Sequence, residues 1–446
     1  MTKWMKNLAL LLCLALVGNW CGATPLSQQL ERKIQDQTTR PWQLVIVSVS
    51  HPTAGELEKS VLQAMKKNNA LRHVIVVSVA PAPKATEFKL NAGHITQVNL
   101  SRTLSKTAPL LSVRSLLARL DRSNSKFYTG LVVDAHGSGH ELHTLLQGED
   151  KIPVQKFFED IQQAGVKIDV LELKSCSMGS LATLYYATQS GVVDYLLASP
   201  PVLVESSADV GLLHAATQVP GALSHPAQAA QAAVLSGSPA FVKHVEKELG
   251  ANIPPFTTAK VGYFLPDLRV PVKNWAHSLL GLVVASLTDS KGTFLLHQEE
   301  LWQADLAQKT SREDSSQGNT LTQISLFQYQ KRKLSLDAFL TNLLGYQMDI
   351  HTWAPQNQES YRQAFTLFKN DSLALKQHLN RAVKQGVCYH NGTIYIAKTA
   401  QDMDAWPREC LDKLSLDFQQ VDEIVMQSRL DFSAGTYQKR LGSIEK

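Results

Sequence analysis

Between Phe127 and Ser199 the chain alternates between extended and helical signatures, and this alternation constrains the fold more than any other feature. Phe127–Ala135 is rich in aromatic and β-branched residues and reads as a strand. Pro153 then opens a helix whose apolar face is Val154, Phe157, Phe158 and Ile161, and Gly165 ends it. Val166–Ser175 is a second strand. Ser177 is positioned to cap a helix through Leu181, Leu184 and Tyr185, which stops at Gly191. Val192–Ser199 is a third strand. Strands joined by helical crossovers of this length run parallel. The same alternation begins upstream, with apolar runs at Leu44–Val47 and His73–Val79 around a helical face of Leu57, Val61, Leu62 and Met65. Leu110, Val113, Leu117 and Leu120 mark a further helix behind Pro109. Residues 41–200 therefore predict a doubly wound α/β sheet with helices on both faces.

Past residue 200 the pattern loosens. Pro226–Gly250 is Ala-rich and reads as helical, Val261–Val272 as extended with proline interruptions, and Trp275–Leu287 as helical. Gln308–Asn319 reads as a polar loop. Residues 355–385 read as a helix, and Asn391-Gly392 between β-type residues predicts a hairpin over Val387–Ile396. No internal repeat is visible.

Lys3 and Lys6 precede a short apolar run, Leu8–Val17, and small residues end at Ala23. This is the pattern of a secretory signal peptide over residues 1–23, shorter than a bilayer-spanning helix; an uncleaved anchor is the alternative. The expectation is export, to a periplasm or to the exterior, with no membrane association beyond that segment. Loss of the two lysines would lower the net charge from +5 to +3, and the basic residues are scattered, so composition does not point to nucleic acid. Of five cysteines, Cys13 and Cys21 fall in the leader; Cys388 and Cys410 are available for a disulfide in an oxidising compartment. Cys176 is left over, which marks it as a candidate reactive thiol.

Cys176 also sits where chemistry is expected. It follows the strand Val166–Ser175, and His136 follows the strand Phe127–Ala135, forty residues earlier. Parallel neighbours put both C-terminal ends on one sheet edge, about 5 Å apart, and open α/β sheets bind ligands there. A thiolate attacks, and an imidazole beside it takes or returns the proton. Gly137 allows its backbone N–H to approach a carbonyl under attack; with the N–H of Cys176 it would form an oxyanion hole. His140 and His143 are rival partners for the thiol, and Asp134 reads as structural. His140 and His143 lack a third ligand at metal spacing and there is no EF-hand-like loop, so no metal or cofactor is assigned and a need for calcium is left open.

The segment LVVDAHGSGH (residues 131–140) resembles the His motif of the clostripain family of cysteine peptidases. VLELKSCSMGSLATLYY (170–186) resembles its Cys motif, with Cys176-Ser177-Met178-Gly179 standing as Cys-x-Met-Gly; DYLLASP (194–200) resembles the strand that follows. The resemblance spans residues 41–345, is specific within 131–200, and leaves 346–446 as a mixed α/β C-terminal region without assignment. It implies a caspase-like three-layer sandwich with a mostly parallel sheet, as in legumains, gingipains and separases. It also implies hydrolysis of peptide bonds in protein or peptide substrates by a Cys176/His136 dyad. Family members cut after basic residues, using an acid two positions before the nucleophile. Here that position is Lys174, which implies a pocket for acidic or neutral side chains, unless Lys174 faces solvent and Glu205 or Asp209 lines the pocket. Self-processing between the two motifs would fall at Lys151 if the pocket accepts basic side chains. Rival classes are a degenerate, peptide-binding homologue, another thiol enzyme such as an acyltransferase, and a structural protein with a buried cysteine.

Overall fold

The centre of the sheet is built from strands that expose almost nothing to water. In the computed structural model, every residue of Trp42–Ser48 (β1), Tyr128–Asp134 (β5) and Ile168–Lys174 (β9) is buried, as parallel strands covered on both faces require. The structure describes residues 40–48, 54–78, 84–100, 113–122, 126–143, 151–200, 211–235, 257–286, 334–335, 353–390, 393–399, 401–407, 410, 415–416 and 418–443. The leader segment 1–23, the 308–319 loop, Glu205 and Asp209 lie outside them.

Between β1 and β5 come Leu71–Ser78 (β2), Lys84–Asn91 (β3) and His94–Asn99 (β4). Between β5 and β9 come three short pieces, His136–Gly137 (β6), Glu141–His143 (β7) and Ile152–Pro153 (β8). Val193–Ala198 (β10), Thr257–Phe264 (β11), Leu334–Ser335 (β12), Val383–His390 (β13), Thr393–Ala397 (β14) and Ser415–Leu416 (β15) complete the set. One sheet of ten strands runs β14-β13-β11-β10-β9-β5-β1-β2-β3-β4. Its centre, β2-β1-β5-β9-β10, is parallel. Both flanks are antiparallel.

Among the parallel strands the sequence order is second, first, third, fourth, fifth. The direction of winding thus reverses between β1 and β5, the kind of place where such sheets bind ligands. The helix Ala54–Lys67, which links β1 to β2, packs with Gly211–Gln218 and Pro226–Leu235 on one face around Ile46, Val132 and Val170. The later crossovers, Val154–Ala164 and Leu181–Ser190, pack on the other face, with Arg269–Ser286 and Pro355–Ala382, around Val133, Leu173 and Leu196. The fold is α/β in three layers.

Local signals account for most helix ends. Gly165 and Gly191 both adopt left-handed conformations as C-caps. Ser177, expected as a cap, is not one. It lies in the turn after the strand with φ +56, and Ser180 caps Leu181–Ser190, accepting a hydrogen bond from the Thr183 N–H at 3.1 Å. The extended reading of Val261–Val272 is also cut short: β11 ends at Phe264, and a helix begins at Arg269, with Pro271 tolerated in its first turn. The hairpin expected around Asn391-Gly392 forms as β13–β14, with His390 opposite Thr393, and joins the main sheet through β11. Cys388 and Cys410 are bridged, with Cα atoms 5.9 Å apart. No described helix is long and apolar enough to cross a membrane.

Candidate active site

β5 and β9 are direct neighbours, in parallel register, with Asp134 opposite Lys174. The pairing continues one step further, the Ala135 N–H donating to the Lys174 carbonyl at 3.3 Å. His136 and Cys176 are therefore delivered past adjacent strand ends on one edge of the sheet. His136 is exposed and Cys176 half-buried, and Cys176 takes no part in a disulfide.

Two turns hold the pair in place. On the histidine side, β6 pairs with β7 and β7 with β8, a small antiparallel ladder that fixes His136 opposite the backbone of His143. The turn between them uses Gly139 at φ +88, a conformation that favours glycine. The Ser138 N–H donates to the Glu141 carbonyl at 3.1 Å, and the Ser138 hydroxyl accepts from the Glu141 N–H at 3.2 Å. On the cysteine side, the fully buried Met178 anchors the turn in the core. Ser177 holds a left-handed backbone that non-glycine residues adopt at a cost, a feature found at functional turns.

The two turns are fastened to each other. The Ser180 hydroxyl donates to the Gly139 carbonyl at 2.9 Å, so one side chain caps the helix after the cysteine and ties down the histidine turn. Gly137 lies flat against the cysteine turn: a Cβ there would sit 2.8 Å from the Cys176 carbonyl oxygen and 2.9 Å from the Ser175 Cβ. Gly179 performs the same service toward β10. Its N–H donates to the Ser199 carbonyl at 2.7 Å, and a Cβ would meet the Pro200 nitrogen at 2.6 Å. The residues of all three sequence segments singled out above, 131–140, 170–186 and 194–200, thus meet at one place.

Beneath the site runs a polar row. Ser48, Asp134 and Lys174 are register neighbours on β1, β5 and β9, each at most 5% exposed, and the Ser48 hydroxyl donates to the Asp134 carboxylate at 2.7 Å. Lys174 does not face solvent; it is 4% exposed. Asp134 is engaged with β1 through the Ser48 bond. His140 is turned toward the C-terminal helix Phe418–Ser428, its Nδ1 3.4 Å from the Glu423 carboxylate. The side chain of His143 lies outside the described residues. Lys151 is exposed and paired with Glu141 at 3.2 Å. Among the described residues there is no group of three or more metal-ligating side chains.

One supporting element was not read from the sequence. Glu172, fully buried four residues before Cys176, accepts from the N–H groups of Gly211 and Leu212, both at 3.0 Å, and from Lys260 Nζ at 2.6 Å. It caps the helix Gly211–Gln218 and ties β11 to β9 in one network. The available signal was a charge between Leu171 and Leu173 in a buried strand; its partners, 39 and 88 residues away, follow only from the tertiary fold. Ser180 carried a better signal, a serine immediately before an apolar helical run.

No protein-family model matches the chain, and no curated protein does. Solved structures do. An inactive zymogen C11 protease from Parabacteroides distasonis aligns at TM-score 0.45 and 13% identity, over 87% of this chain and 95% of that one. A secreted C11 cysteine protease from Bacteroides thetaiotaomicron aligns at TM-score 0.35 and 16% identity, over 55% of this chain and 71% of that one. A secreted C11 cysteine protease from the same organism, in complex with an irreversible peptide inhibitor, aligns at TM-score 0.40 and 11% identity, over 82% and 90%.

Proposed function

We propose that this chain is an exported cysteine endopeptidase of the clostripain kind, with Cys176 as nucleophile and His136 as general acid and base. The observation that carries the reading is the packing of the two turns: Gly137, next to the histidine, against the carbonyl of Cys176. His136 takes the thiol proton, and the thiolate attacks the peptide carbonyl carbon. The N–H groups of Gly137 and Cys176 are the proposed donors to the oxygen that becomes negative. The C–N bond then breaks, His136 returns the proton to the leaving amine, and water cleaves the resulting thioester by the same route.

Lys174 is the proposed determinant of the residue accepted before the cut, favouring acidic or neutral side chains by charge. Peptides identical except at that residue test it: a strong preference for arginine would assign the pocket to acids such as Glu205 or Asp209 instead, and would make Lys151 a processing site. The bridged Cys388–Cys410 pair fits an oxidising compartment and so supports export through residues 1–23.

The deciding experiment incubates the protein and its Cys176→Ala variant with a mixed peptide library. Cleavage by the first and not the second is expected. If neither cuts, before or after limited proteolysis and with or without calcium, the chain is a peptide-binding protein built on this scaffold.

A further inference from the structure

We infer that the residue accepted before the cut carries an uncharged amide, glutamine or asparagine, and that Asp134 determines this together with Lys174. The inference rests on the peptidase reading and goes further: it names the side chain and adds a second specificity residue.

Register puts the two charges together. Asp134 and Lys174 are partners on neighbouring parallel strands, so their side chains leave the same face of the sheet. Ser48, the partner of Asp134 on β1, shares that face, since its hydroxyl reaches the Asp134 carboxylate. Two residues further back, the same face is apolar on β1 and β5, with Ile46 and Val132 in the core. On β9 the residue two positions back is Glu172, whose charge Lys260 already balances. The charge at the strand ends is therefore set by one carboxylate and one ammonium. Each stands two residues before a member of the dyad, roughly 6–7 Å along an extended chain. A side chain entering from the dyad spans most of that distance, and the Lys174 stem reaches toward it. Neither Asp134 nor Lys174 has a polar atom sealed from solvent without a partner, as the Ser175 hydroxyl has.

Charge then selects the side chain. A glutamate or aspartate entering here gains from Lys174 and loses to Asp134, and an arginine or lysine meets the reverse. Either one also leaves a buried charge in excess, which is costly. An amide adds no charge. It presents a carbonyl oxygen to the Lys174 ammonium and an NH2 group to the Asp134 carboxylate. Ser48 holds Oδ2 of that carboxylate, and Oδ1 is the oxygen that accepts from the amide. A site built from one donor and one acceptor discriminates against side chains that satisfy only one of them.

The test reads binding separately from hydrolysis. The full chain carrying Cys176→Ala is titrated by calorimetry with acetyl-Ala-Ala-X-Ala amides in which X is glutamine, asparagine, alanine, glutamate or arginine. The expected result is saturable binding in which an amide peptide is at least about tenfold tighter than the alanine, glutamate and arginine peptides. In the same background Asp134→Asn should turn the preference to glutamate, and Lys174→Gln should turn it to arginine, each by about tenfold or more. If either variant does not fold, the ranking in the Cys176→Ala chain still decides. Equal or tighter binding of the alanine, glutamate or arginine peptide, no saturable binding of any peptide, or an unchanged ranking in a folded variant would overturn the inference. Hydrolysis of the same peptides by the parent is scored separately, and its absence counts against the peptidase reading alone.

Discussion

Replacing Gly137 with alanine places a methyl group 2.8 Å from the Cys176 carbonyl oxygen, 2.9 Å from the Ser175 Cβ and 3.0 Å from the Met178 Cγ. Ordinary contact begins at 3.4 Å, so the closest approach is about 0.6 Å short. The first two neighbours belong to the backbone or sit on it and cannot rotate away. Gly137 is not among the residues with positive φ, so alanine tests this contact and not backbone strain. The two turns must separate by roughly half an ångström. Overpacking of this kind costs about 1–3 kcal/mol of stability. Since a 1 Å misplacement of reacting groups costs on the order of a hundredfold in rate, kcat/KM should fall about tenfold or more. The assay pairs urea denaturation with hydrolysis of the best peptide from the library experiment, and adds the rate of Cys176 alkylation to confirm that the thiol remains accessible. A variant within twofold of the parent in kcat/KM and unchanged in its denaturation midpoint would refute the claim that this contact sets the site.

Three further substitutions probe the frame around the site. Lys260→Met strands the Glu172 carboxylate, which is 0% exposed, and should cost about 3–5 kcal/mol in urea denaturation. Adding Glu172→Gln should recover part of that loss, and a double variant no more stable than the single one would contradict the pairing. Ser180→Ala removes both a helix cap and the bond to Gly139; a loss of about 1–2 kcal/mol is expected, together with slower hydrolysis, whereas an unchanged rate would separate the cap from the site. Converting Cys388 and Cys410 together to alanine opens a loop with a sequence separation of 22 and should cost about 3 kcal/mol by chain entropy, measured by thermal or urea unfolding against the oxidised parent.

The central layer of the fold was legible because it depends on local composition. Parallel strands covered on both faces are largely apolar, and helices between them carry an apolar stripe, so β1, β5, β9 and β10 and their crossovers stand out in the sequence. Gly165 and Gly191 were readable as helix ends for the same reason: left-handed caps select glycine. Parallel strands end on a common edge, so the sequence placed His136 and Cys176 at the same side of the sheet; that their strands are direct neighbours was decided by the fold. Where two serines competed for one role the local signal misled. Ser177 precedes the helical run as Ser180 does, but the chain turns at Ser177 with positive φ and the helix begins only after Ser180.

What tertiary structure alone decided are contacts between segments far apart in sequence. The burial of Lys174 beside Asp134, the meeting of Glu172 with Lys260 and the first N–H groups of a helix, and the addition of β13 and β14 to the main sheet depend on chain path. No pattern of neighbours encodes them. A charged residue inside a buried strand announces that a partner exists; it does not say which. The partner is chosen by whichever group the folded chain brings close enough to offset the cost of burying the charge, and that choice is made across the whole molecule.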